Sequence, residues 1–164
     1  MFALQFKEYG GPEVLSVGEA PEPHAGPGQI RILVRAASVN AADWKFMSGR
    51  YAQGKPLDGT GYPGYDAAGV VDEVGEGVSG VSTGDDVFGL GKNTQAEYAV
   101  LTSWVHKPAS LDWAVAAAAG VVLLQRAARR LGEAARAASP RLGGAAGPAG
   151  RGAAAQDLRR PPVA

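Results

Sequence analysis

Two histidines, His24 and His106, are the only imidazoles in the chain, and both sit in proline-flanked segments, Pro23-His24 and His106-Lys107-Pro108. Neither has a second ligand or an acid at the spacing that a metal site or a catalytic triad requires, so both read as surface histidines. No cysteine occurs. Disulfides, thiolate nucleophiles and cysteine-bound zinc are therefore excluded. The long stretch GYDAAGVVDEVGEGVSGVSTGDDVFGL, residues 64–90, also lacks both residue types. Carboxylates, amines, amides and hydroxyls remain to carry any chemistry.

The 164 residues suffice for one domain of ordinary size. Sixteen basic residues balance sixteen acidic ones, which leaves no net field to draw in nucleic acid or an anionic membrane. The N-terminal MFALQFKEYG lacks the basic and long apolar regions of a signal peptide. The longest apolar run, Ala114 to Leu124, falls short of the ~20 residues that span a bilayer. A cytoplasmic protein without nucleic-acid or membrane partners is the expectation.

Period-two alternation places Phe2, Leu4 and Phe6, and then Ile30, Ile32, Val34 and Ala36, on the buried faces of strands. Turn signals separate the runs: Gly10-Gly11-Pro12, Ala25-Gly26-Pro27-Gly28 and Thr83-Gly84-Asp85. The run Ala67 to Val71 reads as a buried strand, and Gly75 and Gly77 as the turn into another short one. Short strands at this spacing suggest a mainly β protein whose sheet curls into a barrel or sandwich. The glycines of residues 59–91 read as turn chemistry. A phosphate cradle needs a helix after the glycine turn, and no helical pattern follows Gly80.

Three segments in order, EYGGPEVLSVGEAPEPHAGPGQIRILVRAASVNAADWKFMSG, GYPGYDAAGVVDEVGEGVSGVSTGDDVFGL and QAEYAVL, resemble the N-terminal GroES-like domain of the medium-chain dehydrogenase/reductase superfamily. They are most similar to its zinc-free quinone oxidoreductase branch. The resemblance implies a partly open β-barrel with short helices over residues 1–120. It also implies hydride transfer from NADPH to a quinone, enone or related carbonyl substrate. Zinc-dependent relatives hold the metal with a cysteine and a histidine where this chain has Asn40 and Tyr65, neither a credible zinc ligand. The cysteine-rich lobe of such relatives is replaced by Gly91 to Thr94, so no metal is expected.

The resemblance places Asn40, Asp43 and Tyr51 along the pocket, with Tyr65 at the former histidine position. Asn40 and Tyr51 are the candidate catalytic residues. Asn40, Asp43 and Tyr65 are candidates for the substrate or nicotinamide pocket. An asparagine amide can orient a carbonyl, and a tyrosine hydroxyl can donate to developing oxyanion charge. Each residue also has a structural reading. Asn40 would close a turn at a strand end, Asp43 would cap a helix beginning near Trp44, and Tyr51 would be a surface aromatic. Lys45 stands where many relatives have tyrosine, which alters the pocket's charge or points to solvent.

Beyond Gly120 the composition changes to Ala, Arg, Gly and Pro, without lysine or aromatic residues. Residues 112–124 begin the helical run that the resemblance calls for. Residues 127–138 are composed of helix formers, and the proline and glycine beyond Ser139-Pro140 suggest disorder. The cluster GGAAGPAGRGAAAQ, residues 143–156, lacks a preceding β-branched strand, and Pro148 removes a backbone donor where a pyrophosphate would need one. Residues 121–164 are expected to be an aberrant low-complexity tail in place of a Rossmann domain, as a frameshift or truncation would produce. No cofactor-binding residue is assigned, and NADPH is not expected to bind this chain well. Whether the chain is an enzyme is left open: it reads as an incomplete substrate-pocket domain, inactive alone. The alternative is a non-enzymatic GroES-like binding module, which would need a mobile apolar loop and ring assembly. Homodimerisation or self-association through an uncovered apolar face is a further expectation.

Overall fold

The computed structural model describes residues 1–120. The tail lies outside the described residues, and with it the helix expected over residues 127–138 and the glycine cluster 143–156. The architecture is mainly β, as the alternation required. Strands β1 (Phe2–Gln5) and β2 (Ser16–Glu19) pair as an antiparallel two-stranded sheet, joined through a 3-10 turn at Pro12–Val14. Strands β3 (Ile30–Ala37), β4 (Asp66–Val74), β5 (Asp86–Lys92) and β6 (Tyr98–His106) form a closed antiparallel barrel in that order. One short helix, α1 (Ala41–Met47), interrupts the path from β3 to β4. Residues 113–120 are helical.

The barrel core is built by alternation. Ile30, Ile32, Ala67, Val71, Val87, Ala99 and Leu101 point inward and are almost wholly buried. Their neighbours Ala68 and Phe88 point outward and are also buried, because Ala116 and Ala117 of the helical residues 113–120 cover that face. A strand covered on both sides needs apolar residues at every position. This explains the uninterrupted run at Ala67 to Val71. Glycine at position 89 has a related cause: a Cβ there would lie 2.0 Å from the Ser103 carbonyl oxygen across the β5–β6 pair.

Two expectations are corrected. In β1 the buried residue is Ala3, with Phe2 53% exposed; Ala3 is where β1 bridges to Ala96, a contact distant in sequence. Phe6, just past β1, does reach the interior, where its ring packs edge-on against Phe46 at 5.3 Å. No strand follows the turn at Gly75 and Gly77 directly: Val78 and Val81 pack against the core as loop residues, and the next strand is β5.

Arg31 ties the incoming chain to the barrel. Its Nε and Nη2 donate to the two carboxylate oxygens of Asp72 at 3.0 and 2.8 Å, and its Nη1 donates to the Pro23 carbonyl at 2.9 Å. The paired carboxylate raises the guanidinium pKa, and such a two-pronged pair holds geometry better than a single contact.

Candidate functional site

The candidate residues converge where β3 ends and β4 begins. A register shift between Val34 and Ala36 bends the end of β3. Such a bulge re-aims the residues that follow it. Asn40 then begins α1 as its N-cap, with extended backbone angles. The helix starts at Ala41, three residues before the expected start near Trp44. Asp43 therefore occupies the third helical position: its Oδ2 accepts the Asn40 backbone N–H at 2.6 Å, satisfying a donor the helix leaves free.

Asp43 has a second task. It is only 4% exposed, and its Oδ1 accepts the Gly64 N–H at 2.7 Å. Both carboxylate oxygens are thus spent on backbone amides from two segments. The structure assigns Asp43 to holding α1 against the loop before β4.

That loop is clamped along its length. The carbonyls of Pro63 and Gly64 accept from the backbone N–H groups of Gln95 and Thr94, each at 3.4 Å, and the Tyr65 carbonyl accepts from Gly91 at 2.9 Å. The Asp66 carbonyl accepts from the Thr94 hydroxyl at 2.9 Å and the Ser38 N–H at 3.3 Å. Every carbonyl from 63 to 66 is engaged. Gly64 has φ +107, and a Cβ there would lie 2.5 Å from Thr94 Oγ1. Only glycine meets both conditions without strain.

Asp66 organises the other side. It is fully buried, and its Oδ2 accepts from the Ser38 hydroxyl and from Asn40 Nδ2, each at 2.5 Å. Asn40 Nδ2 also lies 3.0 Å from Ser38 Oγ. A carboxylate only accepts, so this contact fixes which end of the Asn40 amide faces inward. Asp66 Oδ1 has no partner among the described residues and lies beneath Gly120, where a Cβ would stand 3.1 Å away. Gln95 Nε2 completes the network on the Ser38 carbonyl at 3.2 Å. Sequence reasoning missed Asp66, Ser38, Thr94 and Gln95. The signal available for Asp66 was a lone acid at the head of an apolar strand, where an unpaired charge is costly.

Tyr65 is half-buried beside this network, and Tyr51 is 58% exposed in the turn after α1. Burial pushes the Tyr65 phenol pKa up, and nearby Asp43 and Tyr51 push in the same direction. Lys45 lies in the last turn of α1. His24 and His106 lie away from the cluster and are exposed: His24 Nδ1 is 3.2 Å from Glu73 Oε2, and His106 Nε2 is 2.9 Å from the Gly80 carbonyl.

These side chains do not suit zinc. Both Asp43 oxygens and Asp66 Oδ2 are already engaged by N–H or O–H donors, and no histidine or cysteine stands beside Asp66 Oδ1 among the described residues to complete the tetrahedral set that zinc requires. Nor do the described residues suit a dinucleotide. The glycines at 75, 77 and 80 lead through a loop into β5 and not into a helix N-terminus, so their amides build no pyrophosphate cradle. A separate cavity of about 470 Å³ is lined by Met1, Pro21, His24, Tyr62, Lys92 and Tyr98 among others. Asn40, Asp43, Tyr51 and Tyr65 do not line it. The predicted residues instead lie at one rim of the barrel, where β3 leads into α1 and the following loop enters β4.

The chain matches the alcohol dehydrogenase GroES-like domain family over residues 26–122. It is 38% identical to a quinone oxidoreductase of Lama guanicoe over 149 residues, covering 81% of this chain and 43% of that protein. A solved quinone oxidoreductase from Coxiella burnetii is 31% identical with a TM-score of 0.66, covering 79% of this chain and 44% of that one. The quinone oxidoreductase of Escherichia coli, solved in complex with NADPH, is 26% identical with a TM-score of 0.59, covering 71% of this chain and 36% of that one. The chain spans about two fifths of the length of the curated relatives it matches.

Proposed function

Because the chain belongs to the alcohol dehydrogenase GroES-like domain family, in the quinone oxidoreductase-like branch of the medium-chain dehydrogenase/reductase superfamily, we propose that residues 1–120 bind the acceptor of a zinc-independent reductase. The acceptor is a quinone, enone or similar carbonyl compound, and the setting is cytoplasmic. The observation that carries this reading is the clamped rim. Asn40, Asp43 and Tyr65 lie on or beside segments whose backbone is tied from both sides, Tyr51 lies in the turn after α1, and the donor set offers hydrogen bonds in place of metal ligation.

The clamped segments would hold an acceptor in one orientation, and a tyrosine hydroxyl would stabilise charge developing on its oxygen. Both are preorganised effects that need no proton transfer from the protein. Asn40 takes part chiefly through position, since its amide nitrogen is committed to Asp66 and Ser38. NADPH, with which the E. coli relative was solved, would supply the hydride. Its binding is assigned to no residue among 1–120.

Calorimetric titration of the purified chain tests this. Duroquinone, whose ring is fully methylated and so resists addition by lysine, is expected to bind saturably, whereas NADPH is not. Micromolar NADPH affinity without quinone binding would overturn the proposal.

A further inference from the structure

Within the rim cluster, the polar side chains around residues 63–66 are almost all committed. Asp43 uses both oxygens on backbone amides, Asp66 Oδ2 takes two donors, and Ser38, Thr94 and Gln95 each donate to a named acceptor. The Tyr65 phenol, half-buried between Gly64 and Asp66, makes no hydrogen bond to any described residue. A half-buried phenol without a protein partner is free to donate to water or to a ligand. The main chain that carries this one is held at the residues on either side, so the phenol is presented from an anchored base. Tyr51, by contrast, lies in an exposed turn whose backbone bonds, Arg50 to Lys45 and Ala52 to Gly49, are all local.

We infer that the Tyr65 hydroxyl, rather than that of Tyr51 or the Asn40 amide, is the hydrogen-bond donor this rim presents to its ligand, and that it engages a carbonyl or phenolic oxygen. The inference rests on the acceptor-binding reading above and sharpens it to one atom. The group acts as a donor, not as a base: burial and the neighbouring Asp43 and Tyr51 all disfavour the phenolate, so the proton stays on the oxygen. A protonated phenol aimed at an oxygen that gains negative charge strengthens its bond as that charge grows. Asn40 is less suited, because its amide nitrogen faces Asp66.

Infrared difference spectra of carbonyl-13C duroquinone bound to the full chain test this, alongside Tyr65→Phe and Tyr51→Phe. The phenyl ring is kept in both variants, and an unchanged melting temperature controls for folding. The bound carbonyl stretch is expected at lower frequency in the wild type and in Tyr51→Phe. It should return towards the free value in Tyr65→Phe, with binding weakened about 3- to 10-fold, the loss of one hydrogen bond. In the wild type, the Tyr65 13Cζ resonance should move as quinone is added. Loss of the shift in Tyr51→Phe with retention in Tyr65→Phe, or retention in both, overturns the assignment and leaves the acceptor pocket standing. Failure of duroquinone to bind the wild type removes the pocket and this inference together.

Discussion

At the scale of single residues, two groups have the most unusual surroundings at the proposed site. Tyr65 has a phenol pKa raised above its ordinary 10.0 by burial first and then by Asp43 and Tyr51. The folded state therefore holds this proton to higher pH than the unfolded chain does. The sign follows: above about pH 10 the unfolded chain releases the proton first, so the Tyr65 contribution to stability is lost as pH rises through its folded pKa. A 13Cζ titration should show the Tyr65 resonance moving at higher pH than a model tyrosine; a midpoint at or below 10.0 contradicts this environment. Asp66 is the second group. Asp66→Ala would strand the Ser38 hydroxyl and the Asn40 amide, and an unsatisfied buried donor costs about 1–3 kcal/mol. Chemical denaturation should show a loss in that range, and a neutral result would mean that the network relaxes freely. Asn40, Asp43, Tyr51 and Tyr65 were all legible as site candidates from their resemblance to a family pattern. The organising carboxylate was not, because a lone acid before an apolar run has many explanations until β3 is folded beside β4.

At the scale of elements, the site exists because a strand, a short helix and a loop share hydrogen bonds. Gly64 is the joint. Its positive φ and the closeness of Thr94 leave no room for a side chain, so Gly64→Ala should destabilise by about 1–3 kcal/mol through backbone strain alone. It should also shift the amide resonances of Tyr65 and Thr94; a variant with unchanged stability and spectrum would show the loop is looser than described. Strands β3 and β4 were readable from period two and from the run at Ala67 to Val71. The first turn of α1 was misplaced by three residues because Asn40 and Asp43 are both good caps, and only the fold shows that Asn40 is the cap while Asp43 bonds back to it. The buried residue of β1 was not legible either, since Ala3 bridges to Ala96, which is distant in sequence.

At the scale of the whole molecule, the barrel presents two faces to its surroundings. Its outer wall at Ala68 and Phe88 is sealed by Ala116 and Ala117. Phe88→Ala would open a cavity between the barrel and the helical residues 113–120, at about 3–5 kcal/mol. Thermal unfolding should register that loss, and a variant that melts with the wild type would show that the helical residues contribute little. Asn40 and Tyr65 lie outside the cavity lined by Met1, Tyr62 and Tyr98. Periodicity left a barrel and a sandwich both open, and the family resemblance pointed to the barrel. Neither could reveal which end carries the ordered network, since that depends on carbonyls 63–66 meeting residues 91–95 across the barrel.

Amide chemical-shift mapping of duroquinone on the isotope-labelled chain distinguishes the two sites directly. The largest changes are expected at residues 38–43, 64–66 and 94–95. Changes confined to Met1, Tyr62, Tyr98 and their neighbours, or a spectrum unmoved at saturating quinone, would contradict the assignment of the rim as the acceptor site.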